Sequence, residues 1–277
     1  MTNKKMAFFD WALYVTVAAA ALMWLFPLLW MVATSIRPEM SPVGTGSLLW
    51  GGAATFANFK RAWSTAPFAT YYQNTFIIVV GVLAMQMVTI TLGGYVFARL
   101  KFRGKDLLFI LFLLQLMVPA EALVVPNFQT MKWIGIDNTR IAIMLPYVAS
   151  AFGTFLMRQT FKQVPKDLED AAVIDGCGHL QTLWYVFIPV ARPTLAAFAL
   201  TSISYHWNNF FWPLIITNSN DVRPLTVGLA LFTKAAESGA DWSLITAGTV
   251  MVVAPLLVAF FLFQRQFISS FMRSGIK

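Results

Sequence analysis

Charge is what this chain has least of. Asp, Glu, Lys and Arg make up 12% of its 277 residues, against roughly 25% in ordinary soluble domains. Acids are the scarcer kind, 12 against 20 bases. An ordinary water-soluble domain is thereby excluded. Cysteine is nearly absent, and the one copy, Cys177, excludes an intrachain disulfide. His179 lies two positions on, but a metal site needs three or four ligands and no others are near. No Gly-x-x-x-x-Gly-Lys-Ser/Thr run occurs, so the chain has no phosphate-cradling loop with which to hydrolyse ATP. No nucleophile–base pair marks an enzyme, and internal repeats, low-complexity tracts and long linkers are missing too.

What fills the space is apolar: 58% of the residues are hydrophobic. Charge-free runs cover 11–36, 62–98, 193–220 and 242–264, and a bilayer crossing needs about 20 apolar residues. Two shorter windows, 107–120 and 141–157, extend with a few polar residues at each end. Six spanning helices are expected, at about 11–35, 74–98, 107–127, 139–159, 192–216 and 243–265. The first is too long for a signal peptide and has no small-x-small site before a soluble domain. A β-barrel would show alternation over about ten residues instead.

The net charge of +8 reads as topology, not as a nucleic-acid surface. Lys4, Lys5, Arg99, Lys101, Arg103, Lys105, Arg158, Lys162, Lys166, Arg192, Arg265, Arg273 and Lys277, 13 of the 20 bases, fall at the two termini and in alternate loops. The positive-inside rule then places both termini in the cytoplasm, in keeping with an even number of spans. One membrane domain over 1–277 is expected. Its external segment 37–73, with Pro38, Pro42, Gly44, Gly46, Gly51, Gly52 and Pro67, should be irregular apart from an interfacial helical turn at 55–64, where Phe56, Phe59, Ala62 and Trp63 repeat at helical spacing.

The cytoplasmic segment 160–191 has more internal design than a link requires. Val164-Pro165-Lys166-Asp167 starts a helix and Gly176 stops it. Leu168, Ala171, Ala172 and Asp175 recur at i, i+3, i+4 and i+7, so they share one face, where small alanines let a partner come close. Asp167, Glu169 and Asp170 suit the positive end of the helix dipole. A second amphipathic stretch, 179–187, carries Leu180, Leu183, Trp184 and Phe187, and Pro189 and Pro193 follow. Spacing alone fits either an amphipathic interfacial loop or a rigid docking protrusion.

The run Glu169-Asp170-Ala171-Ala172, then Asp175-Gly176, then Ile188-Pro189, resembles the EAA loop of ABC-importer permeases. Asp170 replaces the usual glutamate, and Val186 and Ile188 stand where the pattern prefers isoleucine and leucine. Further runs are similar to carbohydrate permeases of the maltose-transporter G-subunit type: Phe26-Pro27-Leu28-Leu29-Trp30-Met31, Asn74-Thr75-Phe76, Pro119 with Pro126, Trp207-Asn208-Asn209-Phe210-Phe211-Trp212-Pro213, and Gln264-Arg265-Gln266-Phe267. Asn209 stands where that family commonly has glutamate.

The resemblance implies an all-α membrane protein of the type I ABC-importer permease class, with six transmembrane helices and a helix-turn-helix coupling loop. It implies import of a sugar by alternating access in a bacterial cytoplasmic (inner) membrane. Glu169, Asp170, Ala171, Ala172, Asp175 and Gly176 would form the ATPase-coupling surface. The partners would be a sister permease (as a heterodimer), two cytoplasmic ATPases and an extracytoplasmic solute-binding protein. This chain would bind no cofactor, and ATP and Mg would sit on the ATPase.

For the substrate path the residues to weigh are Glu121, Asn127, Trp207, Asn208 and Asn209. Glu121, between Pro119 and Pro126, is either an acceptor for sugar hydroxyls or a carboxylate snorkelling to the outer interface. Trp207, Asn208, Asn209 and Trp212 combine aromatic faces with amides, as sugar recognition does, but Trp also collects at membrane interfaces. His206 has the same two readings, and Gln86 and Gln115 could bridge helices instead. A charged glyceryl or phosphorylated sugar derivative would need Arg37, Arg140 or Arg223 facing the path. A stand-alone secondary transporter would show paired intramembrane acids or inverted repeats, and Glu121 is alone.

Overall fold

The computed structural model describes residues 2–38, 54–237 and 241–275, with side chains at 11–38, 54–237 and 241–262. The described residues are helix and turn, with no strand. The glycines expected to make 39–53 irregular, and the side chains of Lys4, Lys5, Gln264, Arg265, Gln266, Phe267, Arg273 and Lys277, lie outside the described residues.

Among the described residues four helices are long and apolar enough to cross a membrane: Trp11–Ser35, Phe68–Arg99, His179–Trp207 and Trp242–Leu262. Counting each of two bent pairs as one span, Lys105–Met117 with Ala120–Ile134 and Arg140–Tyr147 with Ala151–Lys162, brings the number to the expected six. The first and last spans belong to α1 (Thr2–Ser35) and α13 (Trp242–Gly275), and the second is α3 (Phe68–Arg99). The helical backbone of α13 continues beyond Phe267 as far as Gly275.

The third span is not the straight helix expected over 107–127. It turns by 97° between α4 (Lys105–Leu113) with its 3₁₀ end Leu114–Met117 and a 3₁₀ turn leading into α5 (Val124–Ile134). Pro119 is the cause: it lacks an N–H, and it forces Val118 into an extended conformation, φ −90° and ψ 119°. The fourth span bends by 45° between α6 (Arg140–Met144) and α7 (Ala151–Lys162), where the Ser150 hydroxyl caps Gly153 N–H at 3.1 Å.

The fifth span starts and ends earlier than the expected 192–216. A short helix, α9 (His179–Thr182), passes through a π-helical turn, Leu183–Phe187, into α10 (Ile188–Trp207). Pro189 cannot donate the hydrogen bond that would close an α-turn onto Tyr185, and the wider turn sits at that point. Asn208 ends the helix with its side-chain amide on Ser204 C=O at 2.8 Å, and α11 (Phe211–Ile216) is a separate piece.

The chain divides into two compact units, Met1–Phe68 with Gly228–Pro255, and Ala69–Val227 with Leu256–Lys277. In the first, the interfacial helix expected at 55–64 is α2 (Ala57–Thr65), but its buried face is Asn58 and Ala62. Phe56 and Trp63 are exposed. The Asn58 amide donates to Ser35 C=O (3.0 Å) and Arg37 C=O (2.7 Å), carbonyls left over where α1 ends, and that demand sets the rotation of α2. The same unit pairs Arg61 with Asp241 at 2.9 Å, and Asp241 also caps Leu244 N–H. Phe232 of α12 (Leu225–Glu237) lies edge-on to Phe68.

The second unit is built where α3, α7 and α10 cross. Ile90, Tyr95, Met157, Phe161, Phe187, Ala191 and Phe198 form its buried core. Glycine permits the approach: a Cβ on Gly94 would lie 2.5 Å from Met157 Cβ and 3.1 Å from Arg158 N. At the far end, Asn74 donates to Asp221 C=O and Arg223 C=O, both at 2.9 Å, and accepts from Arg140 Nε at 2.7 Å. Gly94→Val should therefore overpack the α3–α7 crossing and cost about 1–3 kcal/mol, read as a lowered thermal midpoint of the detergent-solubilised protein.

Candidate functional site

The expected helix of the 160–191 segment is α8 (Lys166–Ile174), with Pro165 extended before it. Its end is the two-bond left-handed closure that glycine favours. Gly176 has φ +83°, its N–H donates to Val173 C=O (3.0 Å), and Cys177 N–H donates to Ala172 C=O (2.9 Å). The reverse is sharp, and α9 begins three residues later with Gly178 N–H capped by Gln181 Oε1 at 2.9 Å.

The expected common face of Leu168, Ala171, Ala172 and Asp175 does not form one open surface. Ala172 is 7% exposed and faces inward, whereas Leu168, Ala171 and Asp175 are exposed. Glu169 also turns in, its carboxylate 3.4 Å from Arg99 Nη1. The packed stripe is therefore Glu169 and Ala172, because the α3–α7–α10 core fixes which side of α8 it covers. Outward stand Asp170, Val173 at 62% exposure and Ile174 at 85%. These two apolar side chains stand uncovered next to each other at the end of α8.

Arg99 is the residue that sequence reasoning missed, having counted only toward topology. It ends α3, and its Nη2 donates to Phe161 C=O (2.8 Å) and closely to Val164 C=O. Its guanidinium lies 4.9 Å from the Phe187 ring centre. The available signal was a basic residue in the last turn of a helix, where carbonyls lack partners. Around it Tyr95, Phe161 and Phe187 meet edge to face, and Tyr95 OH reaches His179 Nδ1 at 3.4 Å. Arg158 makes a second clamp, on Phe97 C=O (3.1 Å), Asp106 (3.3 Å) and the Phe109 ring.

Farther along the same unit is a cavity of about 350 Å³. Gln86, Gln115, Asn127, Tyr147, Ser150, Thr201, Ser202, Tyr205 and His206 supply its polar edges, and Phe152, Phe198 and Trp212 its aromatic ones. Gln86 knits three elements together. Its amide donates to Tyr147 C=O (2.9 Å), lies 3.4 Å from His206 Nε2, and accepts from Ser202 Oγ at 2.6 Å.

Of the five expected path residues, Asn127 lines this cavity. Asn209 reaches it indirectly, donating to Tyr147 OH at 2.9 Å. Trp207, Asn208 and Glu121 are not in the lining; Asn208 and Glu121 are exposed, Glu121 on the 3₁₀ turn after Pro119. No Lys or Arg lines it either. Arg140 is engaged by Asn74, and Arg223 by Asn220 (2.8 Å) and Asn218 C=O. Gln86 is thus both a bridge between helices and part of the wall. Among the described residues no cluster of His, Cys, Asp or Glu gathers to hold a metal.

Two substitutions separate packing from surface. Ala172→Trp should displace α8 from the core and lower the thermal midpoint, whereas Ala171→Trp, on the exposed side, should leave it unchanged. Gln86→Leu strands Ser202 Oγ and Tyr147 C=O, so it should cost about 1–3 kcal/mol in the same measurement.

Comparison with known proteins places this arrangement. Residues 89–271 match the family described as binding-protein-dependent transport system inner membrane component. The arabinooligosaccharides transport system permease protein of Halalkalibacterium halodurans is 33% identical, over 100% of both chains. The lactose transport system permease protein of Rhizobium radiobacter is 33% identical over 99% of each. Among solved structures, a chain of a bacterial ABC transporter involved in import of the acidic polysaccharide alginate superposes with a TM-score of 0.84 at 25% identity, covering 94% of this chain and 97% of that one. With its bent spans, α8 and its reverse at Gly176 all inside the matched region, the chain belongs to the binding-protein-dependent transport system inner membrane component family, as a multi-pass permease subunit.

Proposed function

We propose that this protein is the permease of an ATP-driven importer for a sugar or sugar derivative, with α8 as the surface on which a separate ATPase acts. The observation that carries the reading is α8 itself: bolted inward through Glu169 and Ala172, it presents Val173 and Ile174 to whatever covers them. A rigid, apolar-tipped protrusion transmits displacement, and a loose loop does not. ATP and Mg sit on the ATPase, because this chain carries no phosphate loop. Closing of the ATPase pair moves α8, and the bundle alternates between inward- and outward-facing forms. The assembly pairs the chain with a sister permease, two ATPases and an extracytoplasmic solute-binding protein. Both termini lie in the cytoplasm, and 1–277 works as one permease domain.

The cavity supports a sugar as cargo. Amides at Gln86, Gln115 and Asn127, hydroxyls at Tyr147 and Ser202 and the indole of Trp212 are the groups that meet hydroxyls and C–H faces. The names of the two relatives, a permease for arabinooligosaccharides and one for lactose, support the same class. Its lining holds no cationic side chain for a phosphorylated or acidic cargo.

The test is affinity purification from detergent-solubilised native membranes. An ATPase and a second six-helix permease should co-elute, and Ile174→Glu should cut the recovered ATPase about tenfold or more with an unchanged thermal midpoint. A chain that elutes alone, and transports when reconstituted alone, would overturn the reading.

A further inference from the structure

We propose that Arg99 is a positioning residue for transport, the strut through which displacement of α8 enters α3 and α7 and not α10 alone. This rests on α8 being the surface an ATPase moves. The covalent route from α8 to the membrane runs through α9 and the π-helical turn Leu183–Phe187 into α10. That route is a single chain of helical turns with a wide π-turn in it. Arg99 supplies a second route. One planar guanidinium holds Glu169 on α8 at 3.4 Å, Phe161 C=O at the end of α7 at 2.8 Å and Val164 C=O just beyond it, and it packs on the Phe187 ring. A point-charged ammonium with a single centre cannot span those partners.

The pair is mostly removed from water: the Arg99 and Glu169 side chains are 14% and 22% exposed. Arg99 Nε is buried without an acceptor, which the orientation of the fork imposes. From Arg99, α3 runs back thirteen residues to Gln86 without a proline, about 20 Å of helix at 1.5 Å per residue. There Gln86 holds Tyr147 C=O and Ser202 at the cavity wall. One unbroken helix thus has α8 fastened at its end and the wall of the cavity thirteen residues back.

The experiment uses the complete transporter in proteoliposomes, with sugar uptake and ATP hydrolysis measured together. Arg99→Lys and Glu169→Gln should each lower uptake per ATP hydrolysed about five- to tenfold. The double variant should be no worse than the weaker single one, because the two act through each other. An unmoved ratio in both single variants overturns the proposal, as do losses that multiply in the double variant. If Arg99→Lys fails to assemble, Glu169→Gln with stoichiometric ATPase decides alone: a lowered ratio supports the strut and an unmoved one overturns it. Absence of ATPase from the wild-type complex defeats the coupling reading itself; ATPase present with unmoved ratios defeats only the strut.

Discussion

The second unit depends on one guanidinium more than on any other group. Arg99 closes α3, donates to the Phe161 and Val164 carbonyls at and just beyond the end of α7, neutralises Glu169 of α8 and lies on Phe187 where α9 passes toward α10. Removing the side chain would take a charged donor from two carbonyls and leave a carboxylate unpaired in a largely dehydrated pocket, a costly kind of polar loss. The aromatic triad of Tyr95, Phe161 and Phe187 gives that cation its setting. Hydrophobic burial holds the three helices together, but the cation fixes where α8 sits on them.

The same division of labour recurs elsewhere. Glycines at the α3–α7 crossing let the backbones come close, and polar side chains then tie off loose carbonyls at the edges. Asn58 does this for α1, Asn74 for the 221–223 backbone, and Arg158 for Phe97. Helix ends inside a membrane domain need such partners, since hydrocarbon supplies none.

The sequence revealed the number of spans, the limits of α8 and its glycine stop, because each has a local cause: charge-free length, Pro165 and Gly176. The runs quoted from the EAA loop and the fifth span were enough to place the chain in its family. Less legible were features set by contacts between distant residues. Arg99 reaches carbonyls more than sixty residues away, and no periodicity announces that. Ala172 shares a helical stripe with Ala171 in the sequence, yet the core covers only the former. The helical spacing of Phe56, Phe59, Ala62 and Trp63 located α2, but not that Asn58 would take its inward side. Pro119 stood in the expected third span, but the 97° turn it sets through the extended Val118 was not legible there. Glu121 and Asn208 drew notice for their polarity, and what the sequence did not show is that one stands on that bend and the other on the helix end, both exposed and outside the cavity lining.

The polar part of the cavity wall is held in place by its own members. Gln86 donates to Tyr147 C=O and accepts from Ser202, and the Tyr147 hydroxyl receives Asn209. The side chains of three elements are thereby oriented before anything enters, and a shift of α3 along its axis cannot leave the wall unchanged: it must carry Tyr147 and Ser202 with it or break these bonds.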